Sequence, residues 1–494
     1  MGIIVKRGIA ISLLTYLGVV IGYINVLWLY PKAFSIEELG LFRLLQDSAL
    51  LLVPFTQIGS GQSYIKFFPE ATTQTDKAGY LIKSFILSAI GLLLAGIVCL
   101  FVYFNADLFS QKGNQQLITF LPIVFVLIII LNFQNILEYA ARAHLHFRMV
   151  SFSKEVLTRL LFTVLVSLYL LNFISYGVVL YGLLLVYGIV FTAILVYISP
   201  KIKLSVNNIL QATKQGLKHK QFYIYGLISL LGSAGGSLVM RADSVMIGYM
   251  VGNAMVGIYT TVFYMAAVIE IPKRIIAYVA VPLLSQAFEK KDKETIAGIY
   301  RKSSVNLLLL AGLMLAGILC NLDSLFSFMP KGEIFAQGGV VVSIIGLSKL
   351  LDLAFGLNSE LLYMSPYYKF NLYFTLILGV ANVLLNYLLI PILGIEGAAT
   401  ASLISVVCFN LLKYIFLYRK LQLQPFNINT FKSLAILLIV ALVGFYLPEI
   451  QNPFLDIAYR SISMLAVFLF GILVLKPSEE LENIKNKALQ FLKL

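Results

Sequence analysis

The sequence predicts an all-α integral membrane protein of about fourteen transmembrane helices, on three observations. Sixty per cent of its 494 residues are hydrophobic and only 12% are charged, where a soluble chain carries about 45–50% and about 25%; mean hydropathy is +0.91. Apolar runs of the roughly 20 residues that a helix needs to cross a bilayer follow one another along the chain. The cations between those runs crowd onto alternate loops. Strands of a membrane barrel would alternate polar and apolar residues, so unbroken apolar runs specify helices.

Charged or Pro/Gly-bearing breaks delimit the runs as 8–30, 41–65, 79–104, 117–140, 151–172, 177–198, 221–250, 257–286, 303–326, 334–360, 367–390, 396–418, 431–447 and 455–475. The first follows Lys6 and Arg7 as a signal peptide would, but it exceeds a signal h-region and lacks a small-x-small cleavage site. It is read as a retained helix. Ser478–Leu494 mixes apolar and charged residues at helical spacing, which predicts an amphipathic tail on the cytoplasmic surface.

Orientation follows from the cations. Lys66, Lys77 and Lys83 surround the 2–3 loop, and Arg142, Arg148, Lys154 and Arg159 flank the 4–5 loop. Lys201, Lys203, Lys214, Lys218 and Lys220 fill the 6–7 loop. Lys290, Lys291, Lys293, Arg301 and Lys302 fill the 8–9 loop, and Arg419, Lys420 and Lys432 the 12–13 loop. The intervening loops hold only Lys32, Lys112, Lys331 and Arg460. Both termini are therefore expected in the cytoplasm, which requires an even number of spans. Anionic lipid beside these loops accounts for the net charge of +14 and makes membrane lipid, not nucleic acid, the expected basic-patch partner. Cys99, Cys320 and Cys408 are isolated in apolar runs, and His144, His146 and His219 sit in basic loops without acidic or thiol partners. Neither set implies a metal or disulfide framework.

The two halves of the chain repeat at a nearly constant offset. ELGLFRLL around Gly40 matches MVGIYTTV around Gly257, an offset of 217. Pro54 answers Pro272, Asp76 answers Asp292, and Gly177 answers Gly394 at offsets of 216 to 218. A repeat of six helices is even, so both copies enter the membrane in the same direction. Transporters built on parallel repeats place substrate between the halves and rock them. The expected organisation is an N-lobe (1–205), a C-lobe (206–425), an added helix pair (426–477) and the tail (478–494).

Within this frame, RADSVMIGYMVGNAMVGIYTTVFYM, PLLSQAFEKKD and LLNYLLIPILGIEGAATASLIS resemble the polysaccharide-exporter branch of the multidrug/oligosaccharidyl-lipid/polysaccharide flippase superfamily. That branch includes the O-antigen (Wzx-type) flippases. The resemblance covers nearly the whole chain. It implies a V-shaped pair of six-helix lobes, in a bacterial inner membrane, that moves an undecaprenyl-pyrophosphate-linked oligosaccharide to the outer leaflet. It also implies other glycan-assembly membrane proteins as partners.

A charge at a helix centre costs at least about 2.5–3.5 kcal/mol on insertion scales, so it marks a cavity or a partner. Arg241 and Asp243 in helix 7 stand two apart and cannot pair face to face. Either Arg241 meets a pyrophosphate while Asp243 orients it or holds a cation, or both belong to a packing network. Gly232, Gly235 and Gly236 just before them permit close packing or a hinge. In helix 2, Arg43 lies beside Gln46 and Asp47 on one face; Glu270 faces Lys273 or Arg274 around Pro272 in helix 8; and Lys349 faces Asp352 in helix 10. Arg43, Lys273, Arg274 and Lys349 are thus substrate-binding candidates, with Asp47, Glu270 and Asp352 as ion-pair or cation-site candidates. Pro54 and Pro272 are candidate hinges, as helix prolines remove a hydrogen bond and kink. Asn25, Asn132, Asn135 and Asn386 are either cavity polar groups or glue between helices.

Two other readings remain. A multidrug/cation antiporter of the same superfamily needs a carboxylate-centred site in the first half, where Asp47 and Glu138 lie off centre. A glycan polymerase needs a large external loop, and a glycosyltransferase a DxD pair; the sequence has neither, nor a P-loop lysine motif. The expectation is a transporter without catalytic residues, metal or cofactor, driven by a Na+ or H+ gradient or by the membrane potential.

Overall fold

The computed structural model describes residues 14–71, 73–105, 115–202 and 220–477, all helix and connecting turn with no strand among them. Lys6, Arg7, Lys112, Lys203, Lys214, Lys218, His219 and the 478–494 tail lie outside the described residues. The long helical runs are α1 (Leu14–Ala33), α2 (Ile36–Gln57), α3 (Gln74–Phe104), α4 (Leu121–Ala143), α5 (147–170), α6 (Tyr176–Ile202) and α7 (Lys220–Met250). They continue with α8 (Asn253–Glu289), α9 (Lys293–Cys320), α10 (Gly339–Ala354 with Asn358–Met364), α11 (368–393), α12 (395–421), α13 (Ile428–Tyr446) and α14 (Pro453–Leu475). Among the described residues eleven helices are long and apolar enough to cross a membrane, or twelve with the two pieces of α10 taken as one span bent by 44°. The chain is a multi-pass membrane protein.

α11 and α12 form one unbroken helical stretch of 54 residues except at Gly394, whose φ of 58° and ψ of −132° are not helical. At about 1.5 Å per residue such a stretch is more than twice as long as about 30 Å of hydrocarbon, so it cannot be a single straight span. α1 and α5 each contain a π-helical segment, Asn25–Leu29 and Phe152–Leu157.

Several helices start earlier than their apolar runs because polar first turns are capped. Ser35 and Glu38 form a capping box at α2, with backbone-to-side-chain bonds of 2.8 and 3.2 Å. Thr73 and Asp76 do the same at α3. Asp292 caps α9, whose first residue Lys293 lies ten residues before the expected start, and accepts from the Thr295 amide at 3.0 Å. Such caps satisfy amides that the first turn leaves without intrahelical partners.

Pro54, a candidate hinge, lies four residues before the turn that ends α2. α2 runs through Pro54 to Gln57, and the chain turns at Ile58 (φ 50°) and Gly59 (φ 67°) before a short helix, Ser60–Phe67. Pro272 does sit at a break: a one-turn 3-10 segment, Val268–Glu270, precedes it and divides α8.

The chain separates into two compact units, Met1–Thr260 with Thr375–Pro391, and Thr261–Phe374 with Ile392–Leu494. The first has an aromatic-rich core of Tyr64, Phe67, Tyr80, Ile136, Ile194 and Phe222, in which Tyr80 and Phe222 stack at 5.8 Å. The second has cores that join α9 to α13 and α14 (Leu308, Ile436, Val440, Phe468) and α8 to α9 and α10 (Ile269, Leu307, Leu353).

Within the first unit, the glycines matched by the repeat touch each other. A Cβ on Gly40 would lie 1.7 Å from the Asn253 carbonyl oxygen, and one on Gly257 would lie 2.6 Å from that of Ile36. Asn253 is 217 residues beyond Ile36, the same offset that relates the two glycines. The two contacts are exchanged by the repeat, as a local two-fold requires.

Candidate functional site

Within the first unit, Arg241 of α7 pairs its Nη1 with Asp47 Oδ1 of α2. Ser244, one turn below, donates to Asp47 Oδ2 at 2.7 Å, so both carboxylate oxygens are engaged. The Asp47 side chain is 9% exposed and that of Arg241 30%, leaving the cation the more accessible member. Arg43, expected to face Gln46 and Asp47 on its own helix, lies over the Tyr30 ring, 5.0 Å from its centroid.

Asp243 points to other helices, as its two-residue separation from Arg241 requires. Tyr259 of α8 donates to Oδ2 at 2.6 Å, and Asn382 and Asn386 of α11 donate to Oδ1 at 2.8 and 2.7 Å. The carboxylate ties α7, α8 and α11 together through neutral donors. Gly235 packs α7 against α11 (a Cβ there would lie 2.6 Å from the Thr375 oxygen), whereas Gly236 meets nothing within 4 Å. α7 remains helical through both glycines.

A second network lies within the second unit. The expected partners on each helix are Glu270 with Lys273 or Arg274, and Lys349 with Asp352. The structure crosses these pairs between α8 and α10. Lys349 Nζ bonds Glu270 Oε2 at 2.8 Å, and Lys273 Nζ bonds Asp352 Oδ2 at 2.8 Å. All four side chains are 13–32% exposed. Arg274 is exposed and takes no place in these bonds. Lys349 also lies over Phe263, 5.8 Å from the centroid.

From Asp352 the bonds run inward. Asn410 donates to Asp352 Oδ1 at 2.9 Å and accepts from Asn358 at 2.7 Å; Asn358 Oδ1 then accepts from Lys413 Nζ at 2.8 Å. Lys413 also donates to Ser359 Oγ at 2.7 Å and covers the Phe409 ring at 3.8 Å. Lys413, Asn358 and Asn410 are fully buried. Lys413 is not among the candidates named from the sequence, although it is a lone cation inside the 396–418 apolar run and carries the same signal as Arg241.

Two of the candidate asparagines bond between helices. Asn25 bonds the Arg159 carbonyl and accepts from Thr163, joining α1 to α5, and Asn132 donates to Thr56 at 2.7 Å. His144 and His146 are half-buried and pack on Phe68 and Tyr197, where exposed loop positions were expected. Among the described residues no group of three or more His, Cys, Asp and Glu could hold a metal ion.

The family model described as "Polysaccharide biosynthesis protein" matches residues 4–288, more than half of the chain. The chain belongs to this family. Over 95% of both chains it is 22% identical to an uncharacterised membrane protein of Methanocaldococcus jannaschii. It is 26% identical to the Haloferax volcanii protein named "Probable low-salt glycan biosynthesis flippase Agl15", over 38% of this chain and 39% of that one. The "Probable flippase AglR" of the same organism is 27% identical over 37% and 39%. Among solved structures, the lipid II flippase MurJ in an inward closed conformation superposes with a TM-score of 0.70, at 13% identity, covering 94% of this chain and 98% of that one. An inward-facing multidrug resistance MATE transporter of the MOP superfamily superposes at 0.60, with 16% identity over 82% and 94%. At these identities the likeness establishes the fold. This member of the family has the MOP transporter fold.

Proposed function

We propose that the protein is a flippase that moves a lipid-linked oligosaccharide from the cytoplasmic to the outer leaflet by alternating access. The observation that carries this is the set of partly exposed cations inside apolar helices, Arg241, Lys273 and Lys349, each held by a carboxylate on another helix. A polyprenyl pyrophosphate presents two or more negative charges. It can compete for these cations where an uncharged lipid cannot, because opposite charges about 4 Å apart attract by about 4 kcal/mol at an effective dielectric constant near 20. Arg matches phosphate oxygens bidentately, and Lys does so as a point charge. Membership of the polysaccharide biosynthesis family and the flippase names of the Haloferax relatives support the glycan part of the substrate.

The finer assignments belong to the same proposal. The carrier is undecaprenyl pyrophosphate, the product is O-antigen or a similar surface polysaccharide, and the membrane is a bacterial inner membrane. The chain makes fourteen spans, with α5 and both sides of the Gly394 break each counted as one, and both termini are cytoplasmic. The repeats are two parallel six-helix lobes followed by the added pair. Other glycan-assembly membrane proteins supply the substrate and take the product, and the chain itself forms no covalent intermediate.

Deletion of the protein followed by lipid extraction tests this. Lipid-linked oligosaccharide should accumulate facing the cytoplasm while surface glycan disappears. Unchanged glycan together with new sensitivity to cationic drugs would replace the flippase with the antiporter.

A further inference from the structure

Among the described residues of the second unit, Lys273, Lys349 and Arg460 each pair with a carboxylate, whereas the hydrogen bonds of Lys413 go to neutral groups. Lys413 is fully buried, and its hydrogen-bond acceptors are Asn358 Oδ1 and Ser359 Oγ, both neutral, with the Phe409 face completing its surroundings. An ammonium enclosed in this way could serve only as a fixed structural charge. The chemistry of its neighbours provides for a second state.

Ser359 Oγ accepts from an ammonium, but its hydroxyl can turn to donate to the lone pair of a free amine. Asn358 Oδ1 accepts an N–H of either form. Both protonation states of Lys413 are therefore hydrogen-bonded without moving a helix. One residue beyond Ser359, Glu360 has a buried carboxylate oxygen, Oε2, with no hydrogen-bond partner among the described residues. A buried acceptor without a donor calls for an explanation, and a proton would satisfy it. Glu360 acts electrostatically on both Lys413 and Lys273.

The amide relay connects this position to the substrate cations. Asn410 and Asn358 are oriented alike, each offering its NH2 toward Asp352 and its oxygen toward Lys413. Charge at Lys413 reinforces that orientation, which holds Asp352 on Lys273. Losing the charge weakens the relay and frees Lys273 for an anion. The other charged groups that act electrostatically on Lys413 are Asp352 of α10 and Lys273 of α8, and Tyr414 follows it in sequence.

We infer that Lys413, with Ser359 and Glu360, is a proton-binding site that couples transport to the pH gradient. In the step, a Lys413 N–H bond breaks and its electron pair stays on Nζ, while the proton passes by way of a transient O–H bond on the Glu360 carboxylate to water, which carries it off as hydronium; uptake from hydronium reverses this. The inference rests on the flippase reading for its purpose, but its first test does not depend on substrate.

Full-length protein labelled at lysine 15Nζ is titrated in detergent from pH 5 to 9. The Lys413 resonance, assigned by its absence in Lys413→Arg or, should that variant not insert, in Lys413→Met, should change from ammonium to amine within that range. Ser359→Ala should shift the midpoint. A resonance that remains ammonium throughout overturns the inference. In cells, nigericin collapses the pH gradient and should lower wild-type glycan export at least fivefold, while Lys413→Arg, permanently charged, should change less than twofold on its addition. Equal nigericin sensitivity in the two proteins also overturns it. Should deletion leave glycan export intact, the flippase reading fails while the titration still decides the proton site.

Discussion

Arg241 and Asp47 illustrate how a partner changes what a residue's removal means. Arg241→Ala removes a cation proposed to meet the head group, but it also leaves the Asp47 carboxylate short of a charged hydrogen bond, which costs about 1–3 kcal/mol. The double variant Asp47→Asn with Arg241→Gln removes both charges and leaves two neutral amides that can bond each other. It should recover most of the thermal stability lost in Arg241→Ala while export stays abolished. Full export in the stable double variant would make the pair a packing device only. Lys273 and Lys349 allow the same comparison with Asp352 and Glu270.

At the scale of elements, glycines of identical composition should behave in opposite ways. Gly40→Leu and Gly257→Leu would drive side chains into carbonyl oxygens at the crossing of α2 and α8 and should prevent stable insertion. Gly236→Ala meets nothing within 4 Å and should raise the melting temperature slightly, since alanine gains up to about 1 kcal/mol over glycine inside a helix. The yield of detergent-extracted protein reads the first two, and thermal unfolding in detergent reads the third.

The added helix pair has its own clamp. Arg460 of α14 is buried, bonds Asp456 at 3.1 Å, and donates to the Cys320 and Gly444 carbonyls at 3.2 and 3.0 Å near the ends of α9 and α13. Arg460→Met should cost about 3–5 kcal/mol by leaving a buried carboxylate uncompensated, and amide exchange should accelerate at those two helix ends. At α9, hydrogen bonds from Thr295 hold the Asp292 carboxyl below the usual carboxylate range. A depressed folded pKa means that the cap is complete above the unfolded value of about 3.9 and fails as pH falls through the folded one. Exchange at the Thr295 amide should rise in acid and not in base.

For the whole molecule, the proposal requires the cationic loops to share one side. Single cysteines at Lys154, Lys290 and Lys432 should be labelled from the cytoplasm only, and one at Lys331 from outside only. Labelling of Lys154 and Lys432 from opposite sides would break the even count of spans between them and with it the parallel repeat.

The class of solvent and the helical secondary structure were legible in the sequence, because both are written in local hydropathy. The Gly40–Gly257 match already held the contact that the fold makes of it. Helix starts were misjudged where capped polar turns precede the apolar run, since hydropathy registers lipid contact and not backbone hydrogen bonding. The charged residues were found by their cost in lipid, yet their partners were assigned along single helices. Only tertiary structure could move Asp47 to Arg241, cross the α8 and α10 pairs, and bring Asn382, Asn386 and Tyr259 to Asp243. Those bonds join residues 16 to 197 positions apart, and no periodicity within one helix encodes which face of another it will meet.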